Sequence, residues 1–240
     1  MGFPMIRFEQ AQFGYDARSP VLNGLSFEIP RGLTLLVGPN GCGKSSLLKL
    51  AAGVERPDAG RVLVEGHDLW SNEAAARAGL AYVPEQPDLT PYATIHEVLL
   101  LVCRLRGVEA REAGRALERA GLAGHGGHSV RELSMGQRRR ALMAAAMIGA
   151  PRILLLDEPL EAMDRAMRDE IVLWLGRAID SGALAVVVAH EIEAFESLAH
   201  RALTVRDGIA SLHDPLPVDP AARRKLLEAL ARGLPAEGSF

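Results

Sequence analysis

Cysteine, lysine and long hydrophobic runs are all scarce in this 240-residue sequence, and each shortage excludes a class of protein. The two cysteines, Cys42 and Cys103, are too few for a disulfide framework or a cysteine-based metal site. Free cysteines suit a reducing compartment, because disulfides form and persist in oxidising ones. We therefore expect a cytoplasmic protein.

Lysine supplies only three of the 27 basic residues, namely Lys44, Lys49 and Lys225. A guanine-specific GTPase needs a lysine within an Asn-Lys-x-Asp motif, and none of the three lies in one. A GTPase is therefore a poor interpretation. The formal net charge of -3 also offers no basic footprint, so no nucleic-acid partner is expected.

Hydrophobic residues are plentiful but dispersed. No uncharged apolar run reaches the roughly 18 to 20 residues that would span a bilayer, and Met1–Arg7 lacks the pattern of a signal peptide. If the protein works at a membrane, we expect another polypeptide to supply the spanning helices. The 48% hydrophobic content suffices for one substantial α/β core, so residues 1–240 are predicted to form a single domain.

A glycine-rich loop lies between a predicted strand, Leu33–Val37, and a helix that begins near Lys44. In a G-x-x-x-x-G-K-S loop with these flanks, backbone amides and the positive end of the helix converge on phosphate oxygens. Lys44 would reach the β and γ phosphates, and the Ser45 hydroxyl would bind magnesium. The alternative is a turn that matches by chance. The candidate nucleotide-binding residues of the loop are Gly38, Pro39, Asn40, Gly41, Cys42, Gly43, Lys44, Ser45 and Ser46.

Two carboxylates follow a second apolar strand, Ile153–Leu156. Ligands of open α/β sheets bind beyond the carboxyl ends of the strands. Asp157 is therefore predicted to hold magnesium, and Glu158 to position or deprotonate an attacking water. Alternatively, two acidic residues could simply end a strand at the protein surface.

The segment Leu133–Gln137, with the sequence LSMGQ, begins another predicted helix. It resembles the L-S-G-G-Q signature of ATP-binding cassette (ABC) ATPases. Ser134 and Gln137 also fit a capping box. The two interpretations are compatible, because free amides at the start of a helix favour negative charge. The phosphate loop, the signature and the Asp157–Glu158 pair occur in the family's order, and the resemblance covers about residues 5–212.

The resemblance implies roles for further residues. Tyr15 matches the aromatic residue that stacks on adenine, and Gln86 matches the glutamine that senses magnesium and couples to a transmembrane partner. His190 matches the switch histidine that contacts the γ-phosphate and orients the catalytic water, and Asp164 matches the aspartate of a loop that crosses the dimer interface. Each of these residues alone would have an ordinary structural explanation. The implied catalytic residues are Lys44, Gln86, Glu158 and His190; the implied metal-binding residues are Ser45, Gln86 and Asp157; the signature adds Ser134, Gly136 and Gln137.

The implied fold is α/β, a P-loop NTPase core of the ABC ATPase type with an N-terminal antiparallel β subdomain and an inserted α-helical subdomain. The helical subdomain is predicted at residues 88–149 and carries the signature, and a short helical tail is predicted at 216–240. Strands are predicted at 6–13, 25–29, 61–65, 80–83, 153–156 and 183–189. Helices are predicted within 94–121 and at 134–149, 165–180 and 220–232, with a glycine- and histidine-rich loop at 124–128.

The sequence departs from the family pattern at a few positions. Met135 replaces a glycine of the signature, and Glu161 and Met163 replace the usual serine and leucine around the interface loop. The family's detailed contacts between subunits therefore do not carry over to this sequence from the resemblance. The catalytic positions are intact, so we expect an active ATPase.

By resemblance, two copies form a head-to-tail dimer in which each ATP lies between the phosphate loop of one copy and the signature of the other. The sequence thus predicts an ATP-hydrolysing subunit of an ABC transporter, with ATP and Mg²⁺ as cofactors. A second ATPase subunit, expected to be identical, and an integral membrane permease at the cytoplasmic face of the membrane are the expected partners. Residues 80–108 look most like the ATPase subunits of type-2 ABC exporters. The alternative is a soluble single-cassette ABC ATPase in an assembly process such as iron-sulfur cluster assembly.

Two finer hypotheses concern single side chains. Arginines 138–140 lie in the first turn of a helix, where the helix dipole disfavours cations. At least one of them is predicted to have an anionic partner, such as Glu132 or an acidic group across the dimer; the alternative is a solvated face. Cys42 lies among amides and Lys44 at a helix start, so its thiol is predicted to react with maleimide and to be protected by ATP. The alternative is a buried filler residue.

Overall fold

The computed structural model describes residues 5–16, 19–86 and 89–234. Six strands form its central sheet: β3 (Gly32–Val37), β6 (Leu80–Val83), β7 (Ile153–Asp157), β8 (Leu184–Val188), β9 (Ala199–Arg206) and β10 (Ile209–His213). Their order is β10-β9-β3-β8-β7-β6, and every neighbouring pair is parallel except β9 and β10. Every residue of β3, β7 and β8 is buried, as expected for parallel strands that are covered on both faces.

A second, antiparallel sheet consists of β1 (Met5–Phe13), β2 (Leu22–Pro30), β4 (Ala59–Val64) and β5 (His67–Asp68) in the order β2-β1-β4-β5. In its register Ile6 lies opposite Ile29 on one side and Val64 on the other. These three residues are fully buried in a cluster with Leu47 and Leu48. The antiparallel sheet therefore packs against the first helix, and the predicted N-terminal β subdomain is confirmed.

The two faces of the central sheet are covered differently. Helix α1 (Lys44–Ala52) and the short α2 (Glu73–Arg77) pack on the face that also meets the antiparallel sheet. Helices α6 (Arg165–Asp180) and α7 (Pro220–Ala231) pack on the opposite face. Alternate residues of β7 face opposite sides of the sheet. Leu155 packs in the apolar cluster that includes α1, and Leu154 packs in the one that includes α6 and α7.

Three further helices surround a third apolar cluster: α3 (Ile95–Leu105), α4 (Arg111–Arg119) and α5 (Met135–Met147). The helical pattern predicted across 94–121 is divided into α3 and α4, because the chain turns at Gly107. Arg106, just after α3, donates to the carbonyl oxygens of Ala145 and Ala146 at 3.1 and 3.0 Å. This side chain therefore satisfies free carbonyls at the end of α5.

Several elements differ from the sequence predictions. Helix α2 and strands β5, β9 and β10 were not predicted, and β2 begins three residues earlier than expected. The predicted boundary at residue 88, the segment 1–4 and the end of the tail at 235–240 lie outside the described residues. Within the described ranges, no helix combines the length and the apolar character needed to cross a membrane.

Candidate functional site

The glycine-rich loop, residues 38–43, joins the end of β3 to the start of α1. Gly43 is the N-cap of α1, with a φ of 109°, and it offers no side chain to the first amides of the helix. A Cβ at Gly43 would lie 3.2 Å from Val21 and 3.3 Å from Leu22. Both its conformation and its packing therefore require glycine, and the amides at the start of α1 are left available for an anion.

Lys44, the first residue of α1, is held over this loop. Its Nζ donates to the carbonyl oxygens of Gly38 at 2.7 Å and Pro39 at 3.0 Å. With Ser45, Asp157, Glu158 and other residues it lines a cavity of about 470 Å³, called the nucleotide cavity below. A cation and a helix N-terminus thus face the same space, which is the chemistry that binds phosphate.

Asp157, at the end of β7, is only 2% exposed. Burial raises the pKa of its carboxyl group, and a hydrogen bond with the Ser45 side chain opposes that rise. A hydroxyl and a carboxylate side by side in the nucleotide cavity are oxygen ligands of the kind that Mg²⁺ prefers.

Glu158 adopts a positive φ of 50°, which is uncommon for a residue other than glycine. Its Oε2 accepts a hydrogen bond from the His190 amide at 3.1 Å, and its Oε1 lies 3.5 Å from Nε2 of His190. Burial raises the pKa of Glu158, while the contacts with His190 lower it to a smaller extent. The predicted base and the predicted switch histidine are therefore in direct contact.

Gln86 follows β6 and is exposed. It lines a neighbouring cavity of about 730 Å³, to which Ser45, Asp157 and Tyr82 also contribute. The two cavities share Ser45, Glu85 and Asp157, so Gln86 lies in a cavity that adjoins the nucleotide cavity.

Tyr15 lines the nucleotide cavity and is 63% exposed. Its ring packs edge-on against Phe13, with centroids 5.0 Å apart. Its hydroxyl lies 3.4 Å from Oγ of Ser46 and accepts from Nζ of Lys49 at 3.3 Å, and that Nζ lies 5.6 Å from the ring centroid. Helix α1 therefore orients the Tyr15 ring at the edge of the cavity.

The remaining loop residues divide between two cavities. Asn40, Gly41, Gly43 and Ser46 line the nucleotide cavity. Pro39 and the half-buried Cys42 line a separate cavity of about 710 Å³ on the other side of the loop, between β9, β10 and the end of α7. Gly38 and Gly41 line that second cavity too.

The signature segment begins α5. Oγ of Ser134 accepts from the Gln137 amide at 3.2 Å, and Oε1 of Gln137 accepts from the Ser134 amide at 2.9 Å, so the predicted capping box is confirmed. Nε2 of Gln137 lies 2.8 Å from Nε2 of His125. The signature is thus connected to the glycine- and histidine-rich loop.

Asp164 caps α6, where its Oδ1 accepts from the Met167 amide at 3.0 Å, and it forms an ion pair with Arg140. A Cβ at Gly136 would lie 3.0 Å from the carbonyl oxygen of Ala162, so the signature helix approaches this loop closely. Of the described residues that line the nucleotide cavity, none belongs to this group, which comprises Ser134, Gly136, Gln137 and Asp164.

Arg139 was not expected to have a central place, yet it is only 2% exposed. Its guanidinium donates to the carbonyl oxygens of four residues in two segments: Pro84 and Glu85 before Gln86, and Asp157 and Glu158 at the end of β7. Burial lowers the pKa of this guanidinium. Arg139 therefore fixes the backbone on both sides of the proposed metal-binding residues.

The prediction of an anionic partner for one of the three arginines is confirmed by Arg140, which pairs with Asp164 of the same chain. The suggested partner Glu132 was wrong, because Glu132 closes a capping box with Ser129. Arg138 donates to the carbonyl oxygens of Val130 and Arg131 at 3.1 and 3.0 Å. The alternative of a solvated face is wrong for Arg139.

Comparisons with known proteins agree with this geometry. A family model described as "ABC transporter" matches residues 22–161. "Nod factor export ATP-binding protein I" of Burkholderia thailandensis is 35% identical over 214 residues, which are 87% of this chain and 70% of that protein. "Spermidine/putrescine import ATP-binding protein PotA" of Protochlamydia amoebophila is 36% identical over 203 residues, which are 82% of this chain and 52% of that protein.

A solved structure described as "Structure of ATP binding subunit of ABC transporter" superposes with a TM-score of 0.81 over 93% of this chain and 94% of that chain. The two sequences are 23% identical, so this likeness establishes the fold. The phosphate loop, the signature and the Asp157–Glu158 pair, together with the family match, lead to one conclusion. The chain belongs to the ABC transporter family and is an ATP-binding cassette ATPase.

Proposed function

We propose that this ATPase energises transport through a separate membrane permease, by ATP-driven head-to-tail association of two copies. The observation that carries the proposal is the composition of the nucleotide cavity. Lys44, Asp157, Glu158 and His190 line it, whereas the signature does not. A second copy would bring its own signature to the open side of the bound nucleotide.

The chemistry of the cavity supports ATP hydrolysis. Lys44 and the first amides of α1 would bind the β and γ phosphates. Glu158, held by His190, would orient the attacking water and accept its proton, and the raised pKa brings this base closer to neutrality. The Ser134 hydroxyl accepts from Gln137, which leaves its hydrogen available to donate to a phosphate oxygen of the other copy's ATP.

The residues also fit a magnesium ion. The side chains of Ser45 and Asp157 are hydrogen-bonded to each other beside the phosphate-binding amides, and both offer oxygen atoms as metal ligands. Gln86 lies in the adjoining cavity. Mg²⁺ is commonly held by one or two protein oxygens together with the phosphates of a nucleotide. When bound, it would neutralise charge on the transferring phosphate. We propose Ser45, Asp157 and Gln86 as its protein partners.

We further propose export as the direction and the cytoplasmic face of the membrane as the location. The resemblance of residues 80–108 to type-2 exporter subunits supports this. Relatives named for export and for import are both similar to the chain, so the direction rests on that segment alone. Purification from membranes should yield this chain with a polytopic membrane protein, whereas an assembly ATPase would be recovered with soluble proteins.

The decisive experiment uses Glu158→Gln, which keeps a hydrogen-bonding side chain of equal size but removes the base. We expect turnover to fall by a factor of about 10² to 10⁴ while ATP still binds. Light scattering should then show monomers becoming dimers with ATP and not with ADP. Adding Ser134→Arg should abolish this shift, because bulk and charge would occupy the position of the signature serine. Normal hydrolysis by Glu158→Gln, or dimerisation of the double variant, would contradict a shared composite site.

A further inference from the structure

His125 connects the glycine- and histidine-rich loop to the signature. Its Nε2 lies 2.8 Å from Nε2 of Gln137. The other end of the same amide is also occupied, because Oε1 of Gln137 accepts from the Ser134 backbone at 2.9 Å. The Gln137 side chain is therefore held between the signature backbone and an imidazole.

The hydrogen-bond pattern assigns the tautomer of this imidazole. If the Gln137 amide were flipped, its NH₂ group would face the Ser134 N–H, and two donors would oppose each other. The amide must therefore donate to His125, and Nε2 of His125 must accept. A neutral histidine that accepts at Nε2 carries its proton on Nδ1. Nδ1 of His125 is buried, and no residue that the structure describes accepts a hydrogen bond from it.

The loop that carries His125 is fixed to the start of α3. The His96 amide donates to the Gly126 carbonyl at 3.1 Å, and the Ile95 amide donates to the His128 carbonyl at 3.2 Å. A Cβ at Gly126 would lie 3.0 Å from Cδ1 of Leu117. His125 thus meets Gln137 from a backbone that two other helices hold in place.

We propose that His125 is a positioning residue for the signature. In its neutral form, with the proton on Nδ1, it holds the Gln137 amide in the orientation that closes the capping box. The Ser134 hydroxyl and the amides of the signature then keep the direction in which they meet ATP on a second copy. The inference rests on the proposed function, since the signature acts only in the dimer.

The test compares three variants in the Glu158→Gln background. His125→Leu removes the acceptor, and His125→Gln restores one at similar reach. The control is His67→Leu, at an exposed histidine in β5, because the ring of His128 contacts that of His125 with centroids 5.3 Å apart. One hydrogen bond changes an equilibrium by about two- to tenfold, and the dimer contains this bond twice. His125→Leu should therefore weaken ATP-induced dimerisation by about 4- to 100-fold, with the monomer's ATP affinity unchanged. His125→Gln and His67→Leu should stay within about threefold of the parent.

Dimerisation of His125→Leu at the parent's ATP concentration would overturn the proposal, as would a failure of His125→Gln to restore it. A change in the monomer's ATP affinity would indicate a merely structural role and would also overturn it. If Glu158→Gln itself does not dimerise, the proposed function fails instead.

A spectroscopic measurement on the parent protein tests the histidine tautomer directly. Nitrogen-15 NMR should show His125 protonated at Nδ1 and unprotonated at Nε2, and the His125→Gln spectrum would identify the signal. Protonation at Nε2 would overturn the proposal whatever the dimerisation result.

Discussion

His190 holds Glu158 from two directions. Its backbone amide donates to Oε2 at 3.1 Å, and its imidazole Nε2 lies 3.5 Å from Oε1. The histidine is exposed while the Glu158 side chain is only 13% exposed. His190, two residues after β8, therefore orients the carboxylate at the end of β7. The two strands are direct neighbours in the sheet.

The partly buried carboxylate of Glu158 should reduce stability at neutral pH. Because the folded-state pKa of Glu158 is raised, the folded protein binds a proton that the unfolded chain has already released. The free energy of unfolding therefore falls as pH rises from the ordinary glutamate pKa through the folded-state pKa. Glu158→Gln should raise the melting temperature at pH about 7.5, and the gain should shrink below the ordinary glutamate pKa. If the melting temperature of Glu158→Gln exceeded that of the parent by the same amount at acid pH, the charge of Glu158 would not be the cause of the difference.

Lys44→Ala should nearly abolish hydrolysis and weaken ATP binding. The substitution removes the cation that faces the phosphates, and a charge-assisted contact contributes about 1.5 to 3 kcal/mol, or roughly 10- to 150-fold in affinity. Lys225→Ala, on the exposed side of α7, is the matched control and should retain activity. If Lys44→Ala turned over ATP within a few-fold of the parent rate, Lys44 would not be a catalytic residue.

Maleimide should inactivate the enzyme through Cys42. This residue lines the second cavity and not the nucleotide cavity, so bound ATP should slow the reaction by holding the phosphate loop rigid and not by covering the thiol. Cys42 is half-buried within the phosphate loop, whereas Cys103 is buried and should not react. A bulky adduct on Cys42 would distort the loop, because Sγ lies only 3.0 Å from the position of a Cβ on Gly38. Activity should be followed during labelling, with Cys42→Ala as the resistant control. Equal inactivation of Cys42→Ala would identify another target.

Two glycine substitutions should differ in their effect on turnover. Gly136→Ala places a methyl group 3.0 Å from the Ala162 carbonyl, so the interface loop must shift, and we expect ATP-induced dimerisation and turnover to fall several-fold. Gly114→Ala lies within α4 with no atom within 4 Å of the new methyl group, and it should raise stability by about 0.5 to 1 kcal/mol without affecting turnover. Equal turnover of the two variants would argue against the close approach.

Arg139→Met should destabilise the fold by about 2 to 4 kcal/mol, because it leaves four carbonyl groups without their buried donor. Arg104→Met, on the exposed surface of α3, should change stability by less than about 0.5 kcal/mol. Urea unfolding of both variants provides the comparison. A loss for Arg139→Met no larger than that for Arg104→Met would mean that the carbonyls find other partners.

Local patterns explain what the sequence predicted. The phosphate loop is contiguous, and its strand and helix adjoin it, so both its residues and its setting could be inferred. Ser134 was predicted as an N-cap from Gln137 three residues later. Strands β9 and β10 were missed although Asp207 and Gly208 form a turn with positive φ angles between them, which is a recognised hairpin signal.

Arg139 could not be predicted in the same way. Its partners come from segments 18 to 55 residues away, and a run of three arginines does not reveal which one points inward. Glu132 was wrongly suggested as an arginine partner. Its carboxylate instead accepts a hydrogen bond from Ser129, three residues earlier, and an argument from charge alone overlooked this local partner.

The end of α7 touches the phosphate loop, since a Cβ at Gly233 would lie 2.9 Å from Cγ of Pro39. The next residue, Leu234, is 54% exposed at the rim of the second cavity. A fluorophore attached through Leu234→Cys, in a chain whose Cys42 is changed to alanine, would sit beside the loop without occupying the nucleotide cavity. The end of the C-terminal helix thus provides a labelling position from which nucleotide binding can be followed in real time.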